Sequence, residues 1–413
     1  MKLDAVIAGV GMTRFGRHLE RGLKSIGAEA VQAALADAGV EARELEAAWV
    51  GNAAAGLVTG QECIRGQVVL RGIGIGGIPV VNVENACASA STAFNQACAL
   101  VSAGCYDVVL ALGVEKLYHE DKRKSFAAFS GAVDVEAMAQ ILAALAHGGA
   151  GKGDDGGGGA KAGAGEKRSM FMDIYAAVAR AHMERFGATR RQFAAIAAKN
   201  SEHGALNPRA QFRERLTVDD VLAAPLIVDP LTRPMCSPIG DGAAAVVVMS
   251  PRKARERGIA RPVRVLSSVL RSGWDHGADE PGLVEACAAD AYREAGVGPG
   301  DLSLVECHDA SAPAELIAYE SLGLCVRGDG GRLVDEGATR VGGRLPVNTS
   351  GGLLRKGHPV GATGIAQIVE LTEQLQGRSG ARQVDGARLG LAHNGGGAIG
   401  SDAAAMCVTI LAR

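Results

Sequence analysis

The chain has 413 residues, 47% of them hydrophobic, and a formal charge of −2. That is enough apolar material for a large core in two domains or two fused halves, and the near-neutral balance excludes a nucleic-acid binder held by charge. No run of about 18 apolar residues occurs, and the start MKLDAVIAGVG lacks a charged region followed by a cleavable apolar segment; neither a membrane span nor a secretory signal is expected, and the protein is placed in the cytoplasm.

Nine cysteines without regular spacing argue against a disulfide framework and fit a reducing compartment. No Cys-x-x-Cys pair exists, so a zinc site within the chain is not expected.

The predicted elements begin with the strand DAVIAGVG, a helix from Ser25 to Ala38 and the strand AAWVGNA. The strand IPVVNVE then leads into a helix pattern rich in small residues, followed by the strand YDVVLALGV. Cys87 stands at the start of that helix, where unpaired backbone N–H groups and the positive dipole end lower a thiol pKa and offer donors to a bound oxyanion. Ala86, Ala88, Ser89 and Ala90 leave room for a substrate to reach the sulfur. The segment alone fits a buried structural cysteine equally well.

An insertion follows over residues 117–225. Its centre, 147–168, is glycine-rich low-complexity sequence, expected as a flexible surface loop and not a phosphate cradle, since no strand precedes it and no Gly-Lys-Ser/Thr follows. The next stretch, SMFMDIYAAVARAHMERFG, carries Met and aromatic residues at helical spacing and predicts a core-facing helix.

From Arg261 the order of the first half recurs: strand VRVLSSVLRSG, helix GLVEACAADAYREAG, strand LSLVECHD, a helix through Leu322, strand LPVNTS, helix GATGIAQIVELTEQL and strand RLGLAHN. Two copies of one alternation with near-continuous apolar strands predict a duplicated α/β fold with parallel-rich sheets covered on both faces. Before the last helix, His358 sits among glycines in RKGHPVGATG, and AHNGGGAIGSD ends the last predicted strand in a glycine-rich turn. Such glycines let backbone pass close to a ligand.

Cys87 within NVENACASAS, the Gly-His-Pro around His358 and the triple-glycine strand end together closely resemble the thiolase superfamily, in particular its sterol-carrier-type (lipid-carrier) members. The match is collinear and takes in VIAGVGMTRFG, PMCSPIGDGAAAVVV at 234–248 and ECHDASAPAELIAYESLGLC at 306–325. The resemblance implies an α/β thiolase fold: a duplicated, five-layered α-β-α-β-α sandwich with residues 1–116 plus 226–260 as one half, 261–413 as the other, and 117–225 as a loop domain over the acyl-CoA site, its helix in SMFMDIYAAVARAHMERFG near the acyl pocket. The helices after Cys87 and His358 would meet at the centre.

It also implies an acyltransferase that cleaves or forms a 3-oxoacyl-CoA with coenzyme A through an acyl-cysteine intermediate, with coenzyme A as substrate and no permanently bound cofactor or metal. Cys87 would be the nucleophile, and His358 would polarise its proton and then stabilise the enolate oxygen. The N–H groups of Cys87 and Gly395 would form the oxyanion hole, glycine being needed at 395 for close approach. Two departures stand out. The second catalytic cysteine of the last glycine-rich loop is replaced by His393, and the His-Asp-Cys-Phe of sterol-carrier-type relatives reads His308-Asp309-Ala310-Ser311. The resemblance therefore assigns acid/base work to His308 and His393, with an acidic pH limb, and leaves Cys307 and Asp309 as second choices. Strand alternation would turn Cys307 away from the face of His308.

The HDAS variant resembles subunits of the benzoylsuccinyl-CoA thiolase type, which implies a homodimeric core and a small zinc-ribbon/OB-fold partner. Two other readings share the fold: a lipid-transfer-protein-type retro-aldolase acting on a CoA thioester, and a non-catalytic acyl-CoA or lipid carrier. The retained Cys87 counts against both.

Overall fold

The computed structural model describes residues 3–141, 143, 169–277, 280–400 and 402–413; the glycine-rich segment 147–168 lies outside the described residues. The first half holds β1 (Ala5–Met12), α1 (Leu23–Ala38), β2 (Ala47–Gly51), β3 (Val80–Val83), α2 (Ser89–Ser102) and β4 (Val108–Glu115). The inserted region contributes α3 (Met170–Phe186) and α4 (Arg190–Leu206), and β5 (Gly242–Met249) closes the half. The second half comprises β6 (Val263–Ser272), α5 (Leu283–Ala295), β7 (Leu304–Glu306), α6 (Ala312–Ser321), the single turn α7 (Gly352–Arg355), α8 (Thr363–Gln376), β8 (Leu389–Gly396) and β9 (Ala405–Ala412).

The nine strands form one sheet in the order β3-β2-β4-β5-β1-β6-β9-β8-β7. Each half repeats the same sequence of neighbours outward from its first strand: last, fourth, second. The halves join where β1 pairs with β6, Ala5 opposite Val265 and Ile7 opposite Val263. The expected strand LPVNTS, at the place of β3 in the repeat, is reduced to a single bridge between Val305 and Val347.

The sheet is mixed and not parallel-rich. β2 is parallel to β3 and β4, and β7 to β8, while the other five pairings are antiparallel. The apolar runs that suggested parallel strands report burial on both faces, which the helix layers impose whatever the strand direction. β5 and β9, each buried along its whole length, return antiparallel beside the first strand of their half.

Five layers result. One core packs α1 on the outer face of the first half-sheet through Ile26, Val31 and Leu35 against Val50, Leu110 and Val247. A second places α2 and α8 between the half-sheets, with Phe94, Val101, Ile365 and Leu371 against Val109, Val246 and Leu411. A third covers the far face with α5 and α6. Each wholly buried Leu or Phe there stabilises by about 1.5–3 kcal/mol relative to exposure. Small residues set the approach of the two central helices, for a Cβ on Gly364 would overlap Ser91 Oγ. Helices α3 and α4 pack against α6 and α7 through Phe193, Ile196, Leu316 and Leu354, which roofs the end of the sandwich where both central helices start.

Candidate active site

At that end, β3 runs into a tight 3-10 turn, Ala86–Ala88, that presents Cys87 just before α2. Ala86 takes φ +47°, a conformation rare for a residue with a side chain and commonest where function demands it. Ser89 Oγ donates to Ala86 O at 2.6 Å and accepts from Asn85 N–H at 2.9 Å, which locks the turn. The end of β8 presses on it from behind: a Cβ on Gly396 would overlap Asn85 O and stand 2.5 Å from Ala88 N and 2.9 Å from Cys87 N. Glycine is therefore required at 396. At 395 a Cβ would meet the flexible tip of Met406 at 2.8 Å and Ala403 Cβ at 3.6 Å, beside the cavity that Gly395 lines. Backbone N–H groups of Cys87 and Gly397 lie against the sulfur.

His308 follows β7, His358 precedes α8, and His393 lies on β8; all three are buried and line one cavity with Cys87. The ligand atoms of Cys87, His308 and His358 lie within 4.8 Å of one another, and the His308 and His358 rings meet edge to face at 5.1 Å between centroids. Hydrogen bonds assign the tautomers. Thr363 Oγ1 donates to Pro359 O at 3.0 Å, so at 2.7 Å it accepts from His358 Nδ1–H, leaving a lone pair on Nε2. Ser91 Oγ donates to Asn394 Oδ1 at 2.5 Å and Asn394 Nδ2 donates to His308 Nδ1 at 2.8 Å, which puts the His308 proton on Nε2. His393 Nδ1 accepts from His308 N–H at 3.3 Å, so its proton is also on Nε2, an atom without a hydrogen-bond partner.

Burial dominates the electrostatics. Desolvation, with the buried Glu115 carboxyl nearby, pushes the Cys87 thiol up to about 12, opposite to the lowering expected from a helix terminus. Desolvation pushes His358 down to about 3, helped by Lys356, and His393 to about 4. It also holds His308 well below its ordinary value, with His358 and His393 adding to the effect. The resting site is thus neutral thiol and neutral imidazoles. Only a neutral imidazole can accept a proton, and a lowered pKa extends its range downward: at pH 5 a group of pKa 3 is about 1% protonated. The acidic limb expected from an ordinary histidine should therefore move below that range. We expect kcat/KM to stay flat from pH 8 down to about pH 5, and a limb with a midpoint near 6.5 would contradict these shifts.

The cavity has a volume of ≈ 850 Å³ and an apolar wall that includes Phe126, Phe129, Phe171, Ile174, Tyr175 and Met406. The segment SMFMDIYAA serves two sides, since Met170 and Ala176 are buried in the core while Phe171, Met172, Ile174 and Tyr175 line the cavity. Cys307 and Asp309, the second choices for acid/base work, do not line it. Cys307 Sγ accepts from Asn348 Nδ2 at 3.4 Å within the core, where strand alternation sends it. The Asp309 carboxylate accepts from Leu353 N–H at 2.7 Å and Leu354 N–H at 3.4 Å and so anchors α7. No motif in the sequence singles out Ser91, Asn394, Thr363 or Gly396. For Asn394 a signal exists: period-two alternation on β8 sets it on the face opposite His393, toward α2.

A cysteine at a helix start, histidines from two other loops and a duplicated α-β-α-β-α sandwich define an acyl-transferring enzyme of the thiolase kind. The model of the thiolase N-terminal domain matches residues 5–252, and that of the thiolase C-terminal domain-like family matches 282–412. The chain belongs to the thiolase family. It is 38% identical over 405 residues to an acetyl-CoA acetyltransferase of Methanothermobacter thermautotrophicus, covering 97% of this chain and 98% of the relative. It is 35% identical over 407 residues to a benzoylsuccinyl-CoA thiolase subunit of Thauera aromatica, covering 96% of each. Among solved structures, the Ltp2-ChsH2(DUF35) aldolase superposes with a TM-score of 0.77 at 25% identity, covering 98% of this chain and 97% of that one.

Proposed function

We propose that the chain catalyses thiolysis of a 3-oxoacyl-CoA, or the reverse condensation, through an acyl group on Cys87. The observation that carries this reading is the convergence of Cys87 with His308 and His358 on the wall of the apolar cavity. His358 Nε2 offers a lone pair to the site and takes the Cys87 proton as the sulfur attacks the 3-oxo carbonyl. The N–H groups of Cys87 and of the glycine-rich end of β8, with Gly395 in the family's place, receive the oxyanion. When the carbon–carbon bond breaks, the acetyl-CoA enolate oxygen meets Nε2–H of both His308 and the newly charged His358. The proton from Cys87 then passes through His358 to the enolate carbon. Coenzyme A, a substrate, gives its thiol proton to His358 as it attacks the acyl group, and that proton returns to Cys87. In this scheme His308 and His393 act as donors and His358 is the one base. Names of the relatives support a CoA thioester as substrate.

Intact-mass spectrometry after mixing with a 3-oxoacyl-CoA tests the scheme: an acyl adduct on Cys87, discharged by coenzyme A, is the expected result. Likeness to an aldolase favours one second reading, a retro-aldol cleavage of a CoA thioester without an acyl-enzyme. Product formation with no adduct, unchanged in Cys87→Ala, would establish it.

The chain works in the cytoplasm, as a homodimer with an added zinc-ribbon/OB-fold partner. Among the described residues no helix is long and apolar enough to cross a membrane. The dimer is argued from the sheet edge at β3, where Val81 is 41% exposed, and from Leu57 and Ile64 between β2 and β3, 50% and 58% exposed. A bare apolar edge strand pairs readily with a second copy. Light scattering at micromolar concentration should give twice the chain mass, and a monomer mass would count against this edge.

A further inference from the structure

The Cys87 cluster contains the ligand set of a tetrahedral zinc site, one thiol and two imidazoles from three separate loops with a fourth position open to the cavity. We propose that Cys87, His308 and His358 bind a thiophilic divalent ion, with Zn²⁺ the type case, and that occupancy blocks the catalytic sulfur reversibly. No sequence motif announces such a site, because its ligands lie far apart along the chain and are gathered only by the two central helices and β7.

Three observations carry the proposal. Zinc–sulfur and zinc–nitrogen bonds of about 2.3 and 2.0–2.1 Å require ligand separations of roughly 3.3–3.6 Å, so atoms already within 4.8 Å need about an ångström of closure. Both imidazoles also have the outer partner that metal-bound histidines use, Thr363 on His358 Nδ1 and Asn394 on His308 Nδ1, which leaves each Nε2 for the ion. His358 already carries a lone pair there. His308 gains one when its proton moves to Nδ1 and the Asn394 amide turns to present Oδ1, a turn that the Ser91 hydroxyl, donor or acceptor, accommodates. Finally, His393 Nε2 is buried without a partner on the wall of the same cavity, a donor available to a water there. Binding exchanges the Cys87 S–H bond for a metal–thiolate bond and releases one proton per ion, with no change of oxidation state.

Co²⁺ titration of the full chain, in buffer free of chelators and without substrate, tests the site independently of any reaction it catalyses. A thiolate-to-cobalt charge-transfer band with strong tetrahedral visible bands is expected, displaced by Zn²⁺, lost in Cys87→Ala and kept in Cys63→Ser, an exposed cysteine outside the site. His308→Gln and His358→Gln should each weaken binding by at least about tenfold, with far-UV circular dichroism and thermal melting confirming that both fold. Micromolar Zn²⁺ should slow alkylation of Cys87 by iodoacetamide by about tenfold, and EDTA should restore it. A charge-transfer band that survives Cys87→Ala, parental affinity in both histidine variants, or unprotected alkylation would each overturn the proposal.

Discussion

Cys87→Ser is expected to abolish acyl transfer and the covalent adduct while leaving the fold intact. The wild-type thiol already stands near 12, so it reacts only by handing its proton to His358 as it attacks. A serine hydroxyl starts with a far higher pKa and is the poorer nucleophile, and neither the turn at Ala86–Ala88 nor one neutral imidazole can offset that difference. The turn itself should survive, because it is held by Ser89 Oγ and by backbone packed on Gly396 and not by the sulfur. Steady-state thiolysis should fall by more than about a hundredfold, with the melting temperature nearly unchanged. Residual activity above about one hundredth of the parent would sink the acyl-cysteine mechanism.

Local patterns made the duplicated halves, the two central helices and the two glycine-rich loops around His358 and after His393 legible in the sequence, since periodicity and glycine placement are local properties. Strand direction was not. β5 and β9 are apolar runs like their neighbours, and only the returning connection makes them antiparallel. The sign of the Cys87 shift is not legible in the sequence for a related reason. A helix terminus lowers a thiol pKa by a local effect, whereas the roof of α3 and the histidine cluster impose a desolvation that is visible only once the chain is folded. The division of labour among the histidines also lay out of reach. It depends on Thr363 five residues beyond His358, and on Asn394 and Ser91, which sit on elements remote in sequence from His308.

That division makes His358→Gln the second decisive substitution. Glutamine approximates the size of the imidazole and can still hydrogen-bond Thr363 Oγ1, so the Gly-His-Pro turn and the start of α8 should keep their packing. What it lacks is a nitrogen able to accept the thiol proton and pass it on. Acylation in a single turnover should fall by about a hundredfold to ten-thousandfold, the usual range for a lost general base. Thr363→Val should do less, about tenfold, because it only frees the imidazole to place its proton on Nε2 for part of the time. The contrast is diagnostic: His308→Gln and His393→Gln remove donors and not the base, so both should retain a measurable acylation burst while enolate formation slows. If His358→Gln acylates within about tenfold of the parent and His393→Gln does not, the base is His393, and the lone pair that Thr363 secures on His358 serves orientation alone.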